Sequence, residues 1–241
     1  MPKISLIGPA HRTHLWKGFY ERIITNVDFE VVFVTDKKPD FALPDNFKWI
    51  YSTVKPAQCF EIAYRESQGE FIIWCGDDLT YSEYSFEQVL DLHKQFDDYR
   101  AMIFYRFYED MHEATKNQTT WDQKYNLTAT GLLSRKAIDE AGGLGDKNFV
   151  CGLWDCDLIM RIYALGGLSV HCPTARCYEP HLELHKQEAN FAPTWKWEDD
   201  YFKSLWIDNI GGAGLKRNKP FEPYVETDIL TFSQGNKGKW Q

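Results

Sequence analysis

The stretch FIIWCGDDLT, residues 71–80, is an apolar run that ends abruptly in two adjacent carboxylates, Asp77 and Asp78. Phe71 to Trp74 offer no polar side chain to either face, the pattern of a strand buried on both sides. Such strands belong to parallel sheets covered by helices, and the chain around this one alternates strand and helix patterns. KISLIG (3–8) is a short apolar run closed by Gly-Pro, and HLWKGFYERII (14–24) sets Leu15, Phe19, Ile23 and Ile24 at helical spacing. FEVVFVTD (29–36) is β-branched and ends on Asp36, KWIYS (48–52) reads as a third strand, and AQCFEIAYRES (57–67) reads as a helix stopped by Gly69.

Further along, SFEQVLDLHKQF (85–96) predicts a helix, with Ser85 and Gln88 at capping-box spacing. RAMIFYRFYE (100–109) predicts a strand, SRKAIDEAGG (134–143) and DCDLIMRIYALGG (155–167) predict helices closed by paired glycines, and LSVHCP predicts a further strand. Beyond about residue 209 the chain is rich in Gly, Pro, Lys and Arg, and KRNKP (216–220) reads as a solvated basic segment. The expectation is one α/β domain over residues 1–208, with a central, mostly parallel sheet flanked by helices, followed over 209–241 by an irregular C-terminal tail or extension packing on the domain.

Composition narrows the function. The 241 residues are 44% hydrophobic and 16% aromatic, which excludes a disordered chain. A formal charge of −8 gives no broad basic footprint for nucleic acid. No apolar run reaches the roughly 20 residues of a spanning helix, and the N-terminus lacks a signal peptide's apolar core. No stable membrane insertion and a cytoplasmic location are therefore expected. The six cysteines are scattered through core-like segments, which suits reduced thiols better than a disulfide framework or a zinc site.

In open parallel sheets, ligands bind beyond the carboxyl ends of the strands. Asp36, Asp77 and Asp78 all fall at such ends. Two adjacent carboxylates in a low-dielectric crevice repel each other unless a cation or hydrogen-bond donors compensate. Hard oxygen ligands select Mg²⁺ or Mn²⁺, whose shells are completed by phosphate oxygens and water. The sequence holds neither a P-loop GxxxxGK[ST] nor a GxGxxG after its first strand, so an ATPase and a dinucleotide enzyme do not fit.

The segment GEFIIWCGDD (69–78) resembles the strand and DxD-type motif of nucleotide-sugar glycosyltransferases of the GT-A fold, in particular family 2. GLLSRKAIDEAGGLGDKNFVCGLWDCDLIMRIYALGG (131–167) resembles that family's second signature, a Gly-Gly turn followed by an acidic pair, Asp-Leu, Arg and a closing Gly. The resemblance implies a Rossmann-like GT-A domain. It also implies inverting transfer of a sugar from a nucleoside diphosphate sugar to a hydroxyl of a glycan or other acceptor, with Mn²⁺ or Mg²⁺ as cofactor.

Carried over residue by residue, Asp78 ligates the metal and Asp77 lies near the ribose or the metal's water shell. Gly76 stands where the pattern has its first Asp. Trp154 and Asp155 occupy the acidic pair. Asp155 is then the general base that takes the acceptor's proton, and Trp154 offers a flat face to a sugar ring. Asp155 also opens a predicted helix, whose dipole favours an ionised carboxylate. His181 or His185 is implied as a further metal ligand, Asp36 as the reader of the nucleobase edge, and Ala10 and Arg12 as neighbours of the nucleotide. Asp157 and Arg161, four apart, read as a structural pair. Gly76 and Trp154 keep open a second reading, a catalytically silent sugar- or nucleotide-binding protein. A sugar-1-phosphate nucleotidyltransferase would want a Gly-rich basic loop, of which GPAHRTH is a poor version.

Overall fold

The computed structural model describes residues 1–109, 112–115, 119–120, 123–179, 192–206 and 215–225. The chain runs β1 (Ile4–Pro9), α1 (Trp16–Glu21), β2 (Phe29–Thr35), β3 (Phe47–Tyr51), α2 (Pro56–Glu66), β4 (Phe71–Trp74) and β5 (Thr80–Tyr81). It continues through α3 (Ser85–His93), β6 (Ala101–Glu109), β7 (His112–Glu113), β8 (Gly131–Ser134), α4 (Arg135–Glu140), α5 (Trp154–Ala164), β9 (Leu168–Glu179) and α6 (Ala192–Trp206).

One sheet is ordered β3-β2-β1-β4-β8-β6-β9-β5, with β7 paired to β6. The first four strands are mutually parallel, as the apolar runs predict. β8 is antiparallel to both β4 and β6, so the sheet as a whole is mixed. Strand alternation divides the core into two layers. Ile7, Val32, Val34, Ile72 and Trp74 pack on one face with residues of α2, α5 and α6, while Leu6, Val31, Phe33, Phe71 and Ile73 pack on the other with α1 and α3. Both faces are covered, which explains why β1, β2 and β4 read as continuous apolar runs rather than alternating ones.

Local sequence sets several boundaries. Pro56 occupies the first turn of α2, where its missing N–H costs nothing. Ser134 caps α4 by accepting from the Ala137 N–H at 3.0 Å. The paired glycines close α4 and α5 as expected, with Gly142, Gly143 and Gly166 at positive φ. At α3 the predicted capping box does not form: Tyr84, left-handed at φ 56°, is the N-cap, and no side chain caps the helix. Glu87 instead accepts from the Thr25 hydroxyl at 2.9 Å and the Asn26 N–H at 2.5 Å.

The basic stretch 216–220 also differs from its expected solvation. The side chain of Arg217 is 8% exposed, donating to Asp157 at 2.9 Å and Asp146 at 2.6 Å, and Tyr224 is buried. Residues 215–225 pack on the domain without forming a helix, tied to it by a bridge between Asp146 and Pro223. All six cysteines are free thiols. Among the described residues no helix is long and apolar enough to cross a membrane.

Candidate active site

β1 lies between β2 and β4, so the chain changes direction across the sheet at that point and a crevice opens beyond the carboxyl ends of these strands. The segments that leave those ends carry Ala10 to Arg12, Asp36, and Asp77 with Asp78. Close approach of the strands here depends on Gly8, where a Cβ would lie 1.9 Å from the carbonyl oxygen of Cys75.

Three cavities run side by side along the crevice. The first, of about 180 Å³, holds Ala10, Asp36 and Ser52. It shares Pro9, His11 and Pro56 with a second, of about 250 Å³, lined by Arg12, Asp77 and Asp78. That one shares Phe60, Gly76, Ala129 and Cys151 with a third, of about 550 Å³, which ends on Trp154 and Asp155. Asp36, Arg12, Asp77, Asp78 and Asp155 are thus gathered on one continuous cleft.

The centre of the cleft is an ion-paired cluster. Asp77 and Asp78 are 1% and 2% exposed, and Arg12 is 7% exposed. Asp77 accepts from the Arg12 backbone N–H at 2.7 Å and from its Nε at 2.8 Å, and Nη2 lies 2.5 Å from Asp77 Oδ1 and 2.9 Å from Asp78 Oδ2. Burial lowers the Arg12 pKa, but the charges of Asp77 and Asp78 outweigh it and the net shift is upward. Gly76 has a local reason as well: a Cβ there would stand 2.6 Å from Asp78 Oδ1. The carboxylate of Asp78 folds over the position where the DxD pattern places another acid.

Asp155 sits in a different environment. It lies in the first turn of α5 and accepts from the Cys156 N–H at 2.9 Å. The expectation that helix amides keep it readily ionised meets a stronger effect. Burial pushes its pKa up to about 6, against the pull of the Cys156 amide and the Trp74 indole. Trp154 is 2% exposed, with its ring 4.4 Å from Phe60 and edge-on to Trp74, so it forms the cavity wall from within the core. Ahead of it, Leu153 is left-handed at φ 58°, a conformation that costs a bulky residue roughly 1–2 kcal/mol.

Glu198 of α6 holds that turn in place. Its Oε1 accepts from the N–H groups of Val150, Cys151 and Gly152 at 2.8, 2.7 and 3.1 Å, and the residue is fully buried. Sequence reading missed this residue, although a signal was present: Glu198 falls on the stripe of Phe202, Leu205 and Trp206, where an apolar residue belongs. It also missed His11, which lines two of the cavities, and Glu179, which lines the Asp78 cavity from the end of β9. His181 and His185 lie outside the described residues.

The donor set suits a hard divalent cation in kind: two buried carboxylates beside the one guanidinium described. Among the described residues no three His, Cys, Asp or Glu side chains are grouped to hold a metal by themselves. Asp78, with phosphate oxygens and water, would complete such a shell.

No protein-family model and no curated protein matches the chain. Solved structures do. TarS 1–349 of S. aureus superposes with a TM-score of 0.55 at 16% identity, over 73% of this chain and 60% of that one. The same fragment in complex with UDP-GlcNAc gives 0.57 at 15%, over 73% and 58%. A mannosyltransferase from Pyrobaculum calidifontis in complex with GDP-Man and Mn²⁺ gives 0.55 at 15%, over 74% and 57%. The present chain therefore spans about 60% of these neighbours' length. The likeness at this identity is one of architecture, and the architecture is a glycosyltransferase fold.

Proposed function

We propose that the protein is a metal-dependent, inverting glycosyltransferase of family 2 type. It moves a sugar from a nucleoside diphosphate sugar to a hydroxyl of a glycan or other acceptor. The observation that carries this reading is the order of groups along one cleft: Asp36 in the first cavity, Arg12 with Asp77 and Asp78 in the second, Asp155 in the third. A nucleoside diphosphate sugar has its parts in that same order, base, diphosphate, sugar. The structural neighbours solved with UDP-GlcNAc and with GDP-Man and Mn²⁺ support it.

In this mechanism Asp36 accepts from the N–H edge of the base, and Ala10 and His11 border the nucleoside. Asp78, with His181 or His185, would hold Mn²⁺ or Mg²⁺. When bound, the metal supplies Lewis-acid stabilisation of the charge on the leaving diphosphate. Asp155 takes the acceptor's hydroxyl proton as that oxygen bonds to the anomeric carbon. The bond from this carbon to the diphosphate breaks, and its electron pair leaves with the diphosphate, so configuration at the carbon inverts. A base with a pKa near 6 is ionised at neutral pH and is still a stronger proton acceptor than an ordinary aspartate.

The test is thermal stabilisation by UDP and by GDP, with and without Mn²⁺, followed by donor turnover in wild type and Asp155→Asn. Stabilisation that requires Mn²⁺, with turnover lost in the variant, is the expected result. Absence of any nucleotide effect removes the donor site, and nucleotide binding without donor cleavage assigns the fold to the silent binder instead.

A further inference from the structure

Asp77 and Asp78 are neighbours in sequence and unequal in the site. Asp77 meets three donors of Arg12, its backbone N–H, Nε and Nη2, at 2.7, 2.8 and 2.5 Å. Asp78 meets Arg12 through Oδ2 and Nη2 at 2.9 Å, while its Oδ1 lies over the Cα of Gly76. All three residues are buried, and the trio carries a formal charge of −1 from two carboxylates and one guanidinium.

A divalent cation arriving alone at Asp78 would therefore gain a carboxylate that is already shared. It would also meet a fixed positive charge within a few ångströms, where the low local dielectric strengthens repulsion. A diphosphate changes that balance, because its oxygens bring enough negative charge to satisfy the metal and the guanidinium together. Asp77, whose Oδ1 takes both Nε and Nη2 of Arg12 while Oδ2 takes its backbone N–H, serves as the anchor that keeps the guanidinium in position.

We propose that Arg12 is the resident counter-ion of the donor site, clamped by Asp77 and guarding Asp78, so that divalent metal binds strongly only together with a diphosphate. The inference rests on the reading of the cleft as a metal-dependent donor site. It deepens that reading by making metal and nucleotide affinities reciprocal: each tightens the other by the same factor.

The experiment titrates Mn²⁺ into the full chain, reading free Mn²⁺ by electron paramagnetic resonance. Mn²⁺ is added alone and with inorganic pyrophosphate, UDP or GDP, after allowance for complexes formed in solution. In wild type, a diphosphate probe should tighten Mn²⁺ binding by about tenfold or more, within the roughly 5- to 150-fold range of couplings between sites. Arg12→Met should bind Mn²⁺ alone about tenfold more tightly than wild type, and the probes should then add little. Arg12→Lys keeps the charge without the fork and should retain most of the coupling.

Wild type that binds Mn²⁺ equally well with and without diphosphate overturns the proposal, and that measurement stands even if Arg12→Met does not fold. Arg12→Met with wild-type affinity for Mn²⁺ alone and undiminished coupling overturns it as well. Both results leave the donor-site reading intact. Wild type that binds neither Mn²⁺ nor any probe, alone or combined, removes the donor site itself and the proposal with it.

Discussion

Two acidic clusters meet at α5, and they differ in how their charge is balanced. Asp157, fully buried, accepts from Arg161 Nε at 3.0 Å, Arg217 Nε at 2.9 Å and the Trp206 indole N–H at 3.0 Å. Arg217 also reaches Asp146 at 2.6 Å, so two carboxylates face two guanidiniums. In the cleft, the ion pairs described place one guanidinium, that of Arg12, between Asp77 and Asp78, and Asp155 has no ion pair among the described residues. The balanced cluster is complete without a ligand and joins the C-terminal segment to the helix. The unbalanced one sets two carboxylates against one guanidinium among the described ion pairs, and an excess of buried carboxylate is what a cation-binding site needs. Asp155 and Asp157 stand two residues apart on one helix and fall on opposite sides of that division.

The largest expected effect breaks the unbalanced side. Asp155→Asn removes the proton acceptor and should lower turnover by about 10²- to 10⁴-fold while leaving nucleotide binding unchanged. Steady-state kinetics beside a nucleotide titration check both halves. On the balanced side, Arg217→Met leaves Asp146 without its guanidinium and Asp157 with one partner fewer. Loss of one member of a buried pair costs about 3–5 kcal/mol, so a fall in Tm is expected, with nucleotide affinity retained in the folded protein. Equal loss of nucleotide affinity in Arg217→Met would erase the distinction between the two clusters.

The pH dependence sharpens the same contrast. The folded-state pKa of Asp155, about 6, lies above the ordinary carboxylate value of 3.8, so folding favours its protonated form. Its contribution to stability is present below about pH 4 and is lost as pH rises towards 6. Asp155→Asn should therefore be more stable than wild type above pH 6, with that advantage gone below pH 4, as thermal melts across that range would report. Activity runs the other way, because the base must be ionised: kcat/KM should fall about tenfold per pH unit below 6. Wild type whose rate stays flat down to pH 5 would remove Asp155 from the role of base.

Legibility of the sequence followed burial. β1, β2 and β4 are covered on both faces, so their apolar runs announced them, and their carboxyl ends carried Asp36, Asp77 and Asp78 to one edge. β8 has four residues, too few for a periodic signal, and the antiparallel turn of the sheet around it was missed. β9 was seen only at its beginning, because Pro173 follows and a proline within a run argues against a strand, although the later residues pair with β6 and β5. Arg217 reads as solvated since its neighbours are Lys, Asn and Pro. Its partners, Asp146 and Asp157, lie about 60 to 70 residues away and could not be matched to it by spacing. Glu198 is a similar case, its three amide partners lying in a turn more than 40 residues earlier.

The smallest effect concerns Gly76, where the sequence departs from the DxD pattern. A Cβ at Gly76 would meet Asp78 Oδ1 at 2.6 Å, the far end of a side chain, whereas at Gly8 it would meet a backbone carbonyl at 1.9 Å. The sheet cannot yield at Gly8, but Asp78 can rotate, at the expense of its contact with Arg12. Gly76→Ala should therefore lower stability by about 1.5–3 kcal/mol, the range of one hydrogen bond to a charged group, because Arg12 keeps Asp77 as its partner. With Asp78 turned out of the position from which it would hold a metal, the Mn²⁺ concentration for half-maximal nucleotide binding should rise by up to about tenfold, or about 1.4 kcal/mol. Gly76→Asp tests the same geometry with a ligand added. If restoring the patterned acid tightened Mn²⁺ binding, Asp78 would have room to share the metal, and its fold over Gly76 would not be what sets this site apart. If it weakened Mn²⁺ binding as Gly76→Ala does, the hydrogen at this position is what lets Asp78 reach both Arg12 and a metal.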